Sequence, residues 1–187
     1  MNTLTYLINK YPSAGWNWCV ISQNPTLTMK MIEMYPDKPW SWFSISGAPN
    51  LTMEFIIRHP ENPWNWAMIS KNPNITMDDI ELYPDNPWNW GSISCNPNIT
   101  MDIVDKYPTK PWCWYHISYN PNLTIEFIEK YPDKPWSWSH ISKHPKLTIE
   151  FVEKHLEHRW NWGYISQNPN VTIEYIENHP NKPWDWR

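Results

Sequence analysis

The sequence predicts an all-α helical solenoid of 24-residue repeats, with two short helices in each repeat. Three observations predict it. All sixteen tryptophans fall in W-x-W pairs whose first members, Trp16, Trp40, Trp64, Trp88, Trp112, Trp136, Trp160 and Trp184, are spaced by 24 residues without an insertion. An Ile-Ser column (Ile21-Ser22 to Ile165-Ser166), a proline column (Pro25 to Pro169) and a threonine column (Thr28 to Thr172) keep the same step. Each threonine opens a short amphipathic stretch that ends at a proline. Self-similarity at one period along a whole chain marks an array of stacked units.

The threonine-led stretch is the first helix of the unit. Thr28 is its expected N-cap, a hydroxyl able to accept a bond from a free backbone N–H. Leu27 at N′ and Ile32 at N4 have hydrophobic-staple spacing. An acid follows the cap by two in six copies (Glu54, Asp78, Asp102, Glu126, Glu150, Glu174), where the helix dipole favours negative charge. Met29, Ile32 and Tyr35 form the expected apolar stripe, and Pro36 ends a helix of about eight residues, because residues before proline avoid the helical region.

The second helix is expected from Asp37-Lys38-Pro39 onward, with Asp37 as cap and Pro39 in the first turn. Trp42 and Ile45 share a face. Trp40 and Trp42, two apart, do not, so one indole should enter the core and the other lie against a neighbouring helix. An α- or a 3₁₀-turn serves a segment this short. Helices below roughly 12–15 residues are marginal alone, so stacking must hold each one.

Two other folds fit less well. A leucine-rich repeat needs Asn or Cys close behind an L-x-L strand. Here Asn stands six residues behind the second Trp and before Pro, so no asparagine ladder is expected. About three prolines per repeat remove the donors a β-solenoid requires. The chain reads as one solenoid over 1–187: a half repeat at 1–15, 24-residue repeats from 16 to 183, and a half repeat at 184–187. That ending should leave Trp184 and Trp186 partly exposed and open to end-to-end self-association.

Composition narrows the function classes. Pro is 20 and Gly only 4 of 187 residues, against a glycine-rich phosphate loop, while 41% hydrophobic residues suffice for a core. A net charge of −4 makes nucleic acid an unlikely partner. No apolar run is long enough to span a membrane, and the first residues do not read as a secretion signal. Cys19, Cys95 and Cys113 occupy different columns, which suits a reducing intracellular compartment or a virion better than secretion. Sequons such as Asn74-Ile75-Thr76 read as turn and cap chemistry.

Asn72-Pro73, Thr76, Ile80 and Asp85, with their equivalents, resemble leucine-rich-repeat-variant proteins. That resemblance implies alternating α- and 3₁₀-helices in a right-handed superhelix, although Trp here replaces small apolar and Arg positions of that family. Asn96-Pro97-Asn98-Ile99-Thr100-Met101-Asp102 and Pro87-Trp88-Asn89-Trp90 are similar to Trp-rich repeat proteins encoded in many copies by giant DNA viruses of protists. The resemblance implies a setting in an infected cell or virion and no mechanism.

Variation between copies concentrates behind the Trp pair. These positions are expected to line one face, with Tyr115, His116, Tyr119, His140, Lys143 and Tyr164 the richest candidate patch for a protein partner. His116, His140 and His144 could ligate a metal by residue type, but no acid or Cys stands in register with them, so no metal site and no cofactor are expected. His155 and His158, where Leu156 and Arg159 replace two prolines, read as an irregular junction left by sequence decay. The acidic column Glu33, Glu81, Asp105, Glu129, Glu153 and Glu177 reads as a solvated face. A strictly periodic chain has no irregular insertion to house a catalytic site, so the expected function is a non-enzymatic scaffold. The alternatives are a self-associating structural or virion component, and an aromatic-lined carbohydrate or single-stranded nucleic-acid binder.

Overall fold

The computed structural model describes residues 3–186, and the chain forms two compact units, Met1–Asn98 and Ile99–Arg187. The first carries α1 (Thr3–Lys10), α2 (Trp18–Ser22), α3 (Met29–Met34), α4 (Trp42–Ser46), α5 (Met53–Arg58), α6 (Trp66–Ser70), α7 (Met77–Leu82) and α8 (Trp90–Ser94). The second carries α9 (Met101–Lys106), α10 (Trp114–Ile117), α11 (Ile125–Lys130), α12 (Trp138–Ile141), α13 (Ile149–Lys154), α14 (Trp162–Ile165) and α15 (Ile173–Asn178). No strand occurs among the described residues. Alternate helices pack together, α2 on α4, α4 on α6 and α6 on α8, as stacked repeats require. The protein is an all-helical repeat solenoid.

Threonine caps the first helix of each repeat as expected: Thr28, Thr52, Thr124 and Thr148 accept from the backbone N–H three residues on. The helix is six residues long rather than eight, because Tyr35, ahead of Pro36, leaves the helical region (φ −132°, ψ 61°). Its stripe shifts accordingly. Ile32 is buried together with Met31, while Met29 and Tyr35 are half-buried. Later copies bury Phe127 and Phe151 at the Met31 position.

The second helix starts later than the sequence suggests. Its cap is the residue between the two tryptophans, not Asp37. Asn17, Ser41, Asn65, Asn89 and Asn161 accept from the N–H three residues on, so the helix begins at the second Trp. Pro39 therefore precedes the helix instead of sitting in its first turn. The helix itself is a single α-turn, Ile45 N–H to Ser41 C=O at 3.0 Å, closed by an i→i+3 bond from Gly47 to Ser44.

The W-x-W pair is a joint between repeats. The first indole of every pair donates Nε1–H to the carbonyl five residues back, which is the exposed end of the preceding helix. Trp40 bonds Tyr35 at 2.9 Å and Trp64 bonds His59 at 2.8 Å; in the second unit Trp136 bonds Tyr131 and Trp160 bonds His155, both at 2.8 Å. Helix ends leave carbonyls without an intrahelical donor, and here the indole joins the N–H three residues on, such as Lys38 for Tyr35 and Asn62 for His59, in pairing one of them. The second indole meets the first indole of the next repeat edge to face. Trp18–Trp40, Trp42–Trp64 and Trp66–Trp88 lie 4.9–5.1 Å apart in the first unit. Trp114–Trp136, Trp138–Trp160 and Trp162–Trp184 lie 5.1–5.2 Å apart in the second. Aromatic pairs favour this offset geometry over a face-to-face sandwich.

Trp184 is consequently buried, at 7% exposure, because Trp162 covers it, while Trp186 is 75% exposed. The expectation that both would be partly exposed holds for Trp186 alone. Arg187 lies outside the described residues.

Three polar ladders accompany the indoles. Ser46 Oγ donates to the Trp42 carbonyl and accepts the Asn65 N–H. Ser142 does the same with Trp138 and Asn161. This explains the serine behind each isoleucine of the Ile-Ser column. Contrary to expectation, an asparagine ladder is present: Asn72 donates to the Ala48 carbonyl at 2.9 Å, Asn96 to the Asn72 carbonyl at 3.0 Å and, in the second unit, Asn168 to the His144 carbonyl at 3.0 Å. The residue two after each of these asparagines forms a parallel rung, Asn74 to Leu51 and Asn170 to Leu147. The acidic column is likewise more than a solvated face. Glu33 pairs with Arg58 and His59, Asp105 with Lys130 and Tyr131, and Glu129 with Lys154, each reaching 25 or 26 residues along the chain.

Candidate functional site

The sequence-derived patch lies wholly in the second unit. None of the residues in the variable columns behind the Trp pair is buried in either unit, as a free face requires. The patch is built on α10 and α12. The side chains of their caps, Cys113 and Ser137, accept no cap bond from the helix backbone. Each instead meets a histidine three residues on: Cys113 Sγ lies 2.8 Å from His116 Nδ1, and Ser137 Oγ lies 2.7 Å from His140 Nδ1. These contacts anchor the two half-buried imidazoles.

Around them the tyrosines close into one cluster. Tyr119 Oη donates to Tyr115 Oη at 2.8 Å, one α-turn apart. The Tyr119 ring lies over His140 at 3.6 Å between centroids, and Tyr115 flanks the same imidazole at 5.7 Å. Tyr115 and Tyr119 remain 48% and 42% exposed. Lys143 spans the next step, its Nζ 5.1 Å from the centre of the Tyr164 ring. All six candidate residues are thus brought into one continuous surface. Tyr119, His140 and Lys143, with Ser118, Pro121, His144 and Pro145, line a groove of about 310 Å³.

Electrostatics make the groove nearly neutral. Burial, aided by the nearby Lys143 ammonium, holds the His140 pKa below its ordinary value of 6.5. Burial depresses His144 as well, the Asn120 backbone opposing and Lys146 reinforcing the effect. Both rings are therefore uncharged at neutral pH, leaving Lys143 as the cation of the groove wall. The surface offers aromatic faces, phenolic hydroxyls, two prolines and one ammonium.

His116, His140 and His144 do not converge on a metal. Their Nδ1 atoms are engaged by Cys113, Ser137 and the Lys146 N–H respectively. The grouping with metal-ligand spacing among the described residues is His155, Glu157 and His158, at the junction where two prolines are lost. Its signal in the sequence is a glutamate between two histidines, at offsets +2 and +3 from the first.

Fold and surface define a Trp-jointed helical repeat protein with one aromatic face. Comparison with protein-family models, with curated proteins and with solved structures finds no match for this chain. No helix among the described residues is long and apolar enough to cross a membrane.

Proposed function

We propose that the protein is a non-enzymatic scaffold that captures a protein partner through the groove of its second unit. The observation that carries this is the pair of exposed, mutually bonded tyrosines over His140, next to a single lysine. Tyrosine anchors supply contact area with little loss of rotamer entropy, so such clusters suit protein capture. The prolines and aromatic rings favour an extended peptide segment that lays apolar or proline residues against Tyr119 and sets a carboxylate on Lys143. The resemblance of the Trp-rich repeat to proteins of giant DNA viruses supports an infected cell as the setting. Panning a peptide library against the full chain tests the proposal. Enriched segments should lose binding to a Tyr119→Ala/Tyr164→Ala variant whose unfolding midpoint is unchanged. Equal binding by the variant, or binding lost only through unfolding, would overturn it.

A sugar- or base-stacking role is disfavoured by the tryptophans themselves. The second indole of a repeat is edge-packed by the next repeat and often roofed by a lysine, with Lys38 over Trp18, Lys134 over Trp114 and Lys182 over Trp162. Self-association is the second reading, supported by the exposure of Trp186 and Ile173 at one end of the second unit. A sedimentation series over concentration distinguishes it from the scaffold.

A further inference from the structure

The column that roofs the second indole holds lysine in four copies, Lys38, Lys110, Lys134 and Lys182, and in the seventh it holds His158. That imidazole lies flat on Trp138, centroids 3.6 Å apart and planes 13° from parallel. Beside it stands His155, its ring almost parallel to that of His158 at 5.7 Å. Glu157 reaches between them, its Oε1 3.3 Å from His155 Nδ1 and 3.4 Å from His158 Nε2. Glu157 hydrogen-bonds His155 Nδ1 at that 3.3 Å, longer than the about 2.7–2.9 Å of a tight charge-assisted bond, and makes no hydrogen bond to His158 among those described. Metal–ligand bonds of about 2.0–2.1 Å in a tetrahedron, however, set neighbouring ligand atoms roughly 3.3–3.4 Å apart. The three candidate ligand atoms lie within 4.8 Å of one another.

We propose that His155 Nδ1, Glu157 Oε1 and His158 Nε2 form a three-ligand site for a divalent transition-metal ion, zinc by preference, with a fourth position open to water. Imidazole and carboxylate suit zinc, and three protein ligands plus water is one of its ordinary arrangements. The remaining nitrogen of His155 fits the assignment. Its Nε2 is buried without a hydrogen-bond partner and faces Glu129 Oε1 at 4.0 Å. Metal on Nδ1 fixes the proton on Nε2, and a small ring rotation delivers it to that carboxylate, the usual orienting partner of a ligating histidine.

The chain contains its own control, 96 residues earlier. His59 and Glu61 occupy the equivalent positions, and His59 Nε2 already contacts Glu33 at 3.1 Å. The third position there is Asn62, and no ligand triad forms among the described residues of that repeat. Only the seventh copy joins a histidine at the third position to His and Glu, and it does so where Leu156 and Arg159 replace the prolines that stiffen other copies. The ion would clip together a junction that has lost both.

The test is calorimetric titration of the full, metal-stripped chain with zinc alone, alongside visible spectra with cobalt. Wild type should bind one ion, show the intense visible bands of tetrahedral cobalt without a thiolate charge-transfer band, and unfold at a higher temperature with zinc than with chelator. His158→Asn copies the residue at Asn62, so the fold tolerates it; with chelator its midpoint should stay near wild type while affinity falls by more than the roughly 10–100-fold cost of losing an orienting partner. Glu129→Gln should weaken binding within that range. Absence of stoichiometric binding, undiminished binding by His158→Asn, or a thiolate band would each overturn the site.

Discussion

Asn96 donates its side-chain amide to the backbone carbonyl of Asn72, 24 residues earlier, at 3.0 Å, and to that of Ser70 at the same distance. Its Oδ1 accepts the Asn98 N–H at 2.8 Å, an Asx turn inside its own repeat. One buried side chain therefore shapes the loop that carries it and ties that loop to the previous one. A buried polar group that is fully paired rigidifies, and losing it strands its partners.

Asn96→Ala should accordingly destabilise the first unit by roughly 2–4 kcal/mol, since the Ser70 carbonyl loses its described donor, the Asn98 N–H loses its acceptor and the Asn72 carbonyl keeps only the Ile75 N–H. Urea unfolding would show a lower midpoint at an unchanged slope. A loss below about 0.5 kcal/mol would mean that water replaces the amide without penalty.

His144 stands in the same column, and there the rung is defective. Its Nδ1 accepts the Lys146 N–H at 3.3 Å, as Asn Oδ1 does elsewhere, but its buried Nε2 has no hydrogen-bond partner. His144→Asn restores a short donor toward the Asn120 backbone and should stabilise the second unit by about 1 kcal/mol.

The same residue sets a pH dependence. Burial holds the folded-state pKa of His144 below 6.5, so the unfolded chain takes up the proton first. Stability is then fully present above about pH 6.5 and falls as pH drops toward the folded pKa. His140, also depressed, acts in the same direction with less burial. The carboxylates held low by their partners, Glu33 by His59 and Arg58 and Glu129 by Lys154, lose their contribution only below their ordinary value of 4.5, outside this window. Unfolding midpoints between pH 7.5 and 5 should fall for wild type and fall less for His144→Asn. Parallel curves would assign the dependence to other groups.

Much of this architecture is legible from periodicity alone: two helices per repeat, threonine caps, the buried Ile-Ser column and the free face carrying the six candidate residues. The helix starts are not, because Pro39 and Asp37 look like an N-terminus, whereas Asn17, Ser41 and Asn65, the residues between the tryptophans, do the capping. The asparagine ladder escapes a search for Asn behind a strand; the recurring Asn72, Asn96, Asn120 and Asn168 are visible in the sequence, but the backbone carbonyls they reach lie in another repeat. Contacts at a separation of 24–26 residues, and the seating of His158 on Trp138, depend on stacking and leave only a column in the sequence.

The two indoles of a pair should differ in cost. Trp64 donates to the His59 carbonyl at 2.8 Å and also receives the edge contact from Trp42. Trp64→Phe keeps an aromatic ring but removes the shorter of the two bonds that the His59 carbonyl accepts, the other being the Asn62 N–H at 3.3 Å, and should cost roughly 0.5–1.5 kcal/mol beyond the change in ring size. Trp66→Phe breaks no hydrogen bond among those described and keeps most of its contact with Trp88, so about 1 kcal/mol or less is expected. Equal losses in urea unfolding would mean that indole size, not the Nε1–H bond, selects tryptophan at the first position.

Threonine caps provide a graded series in one chain. Thr124 makes the single cap bond to Phe127 N–H at 3.2 Å, so Thr124→Ala should cost about 1 kcal/mol. Thr76 sits in a reciprocal box: its Oγ1 accepts the Asp79 N–H, while Asp79 Oδ2 accepts both the Thr76 N–H and its hydroxyl at 2.8 Å. Thr76→Ala removes the cap and the hydroxyl bond together and should cost more than Thr124→Ala. Asp79→Ala leaves the backbone cap on Thr76 Oγ1 intact but removes both bonds to Asp79 Oδ2 and a negative charge in the first turn, so it should not be milder than Thr124→Ala. Thr76→Ala below, and Asp79→Ala at or below, the urea midpoint of Thr124→Ala would support the box as the stronger cap. A Thr76 variant no worse than Thr124→Ala would show that the aspartate contributes nothing beyond the hydroxyl.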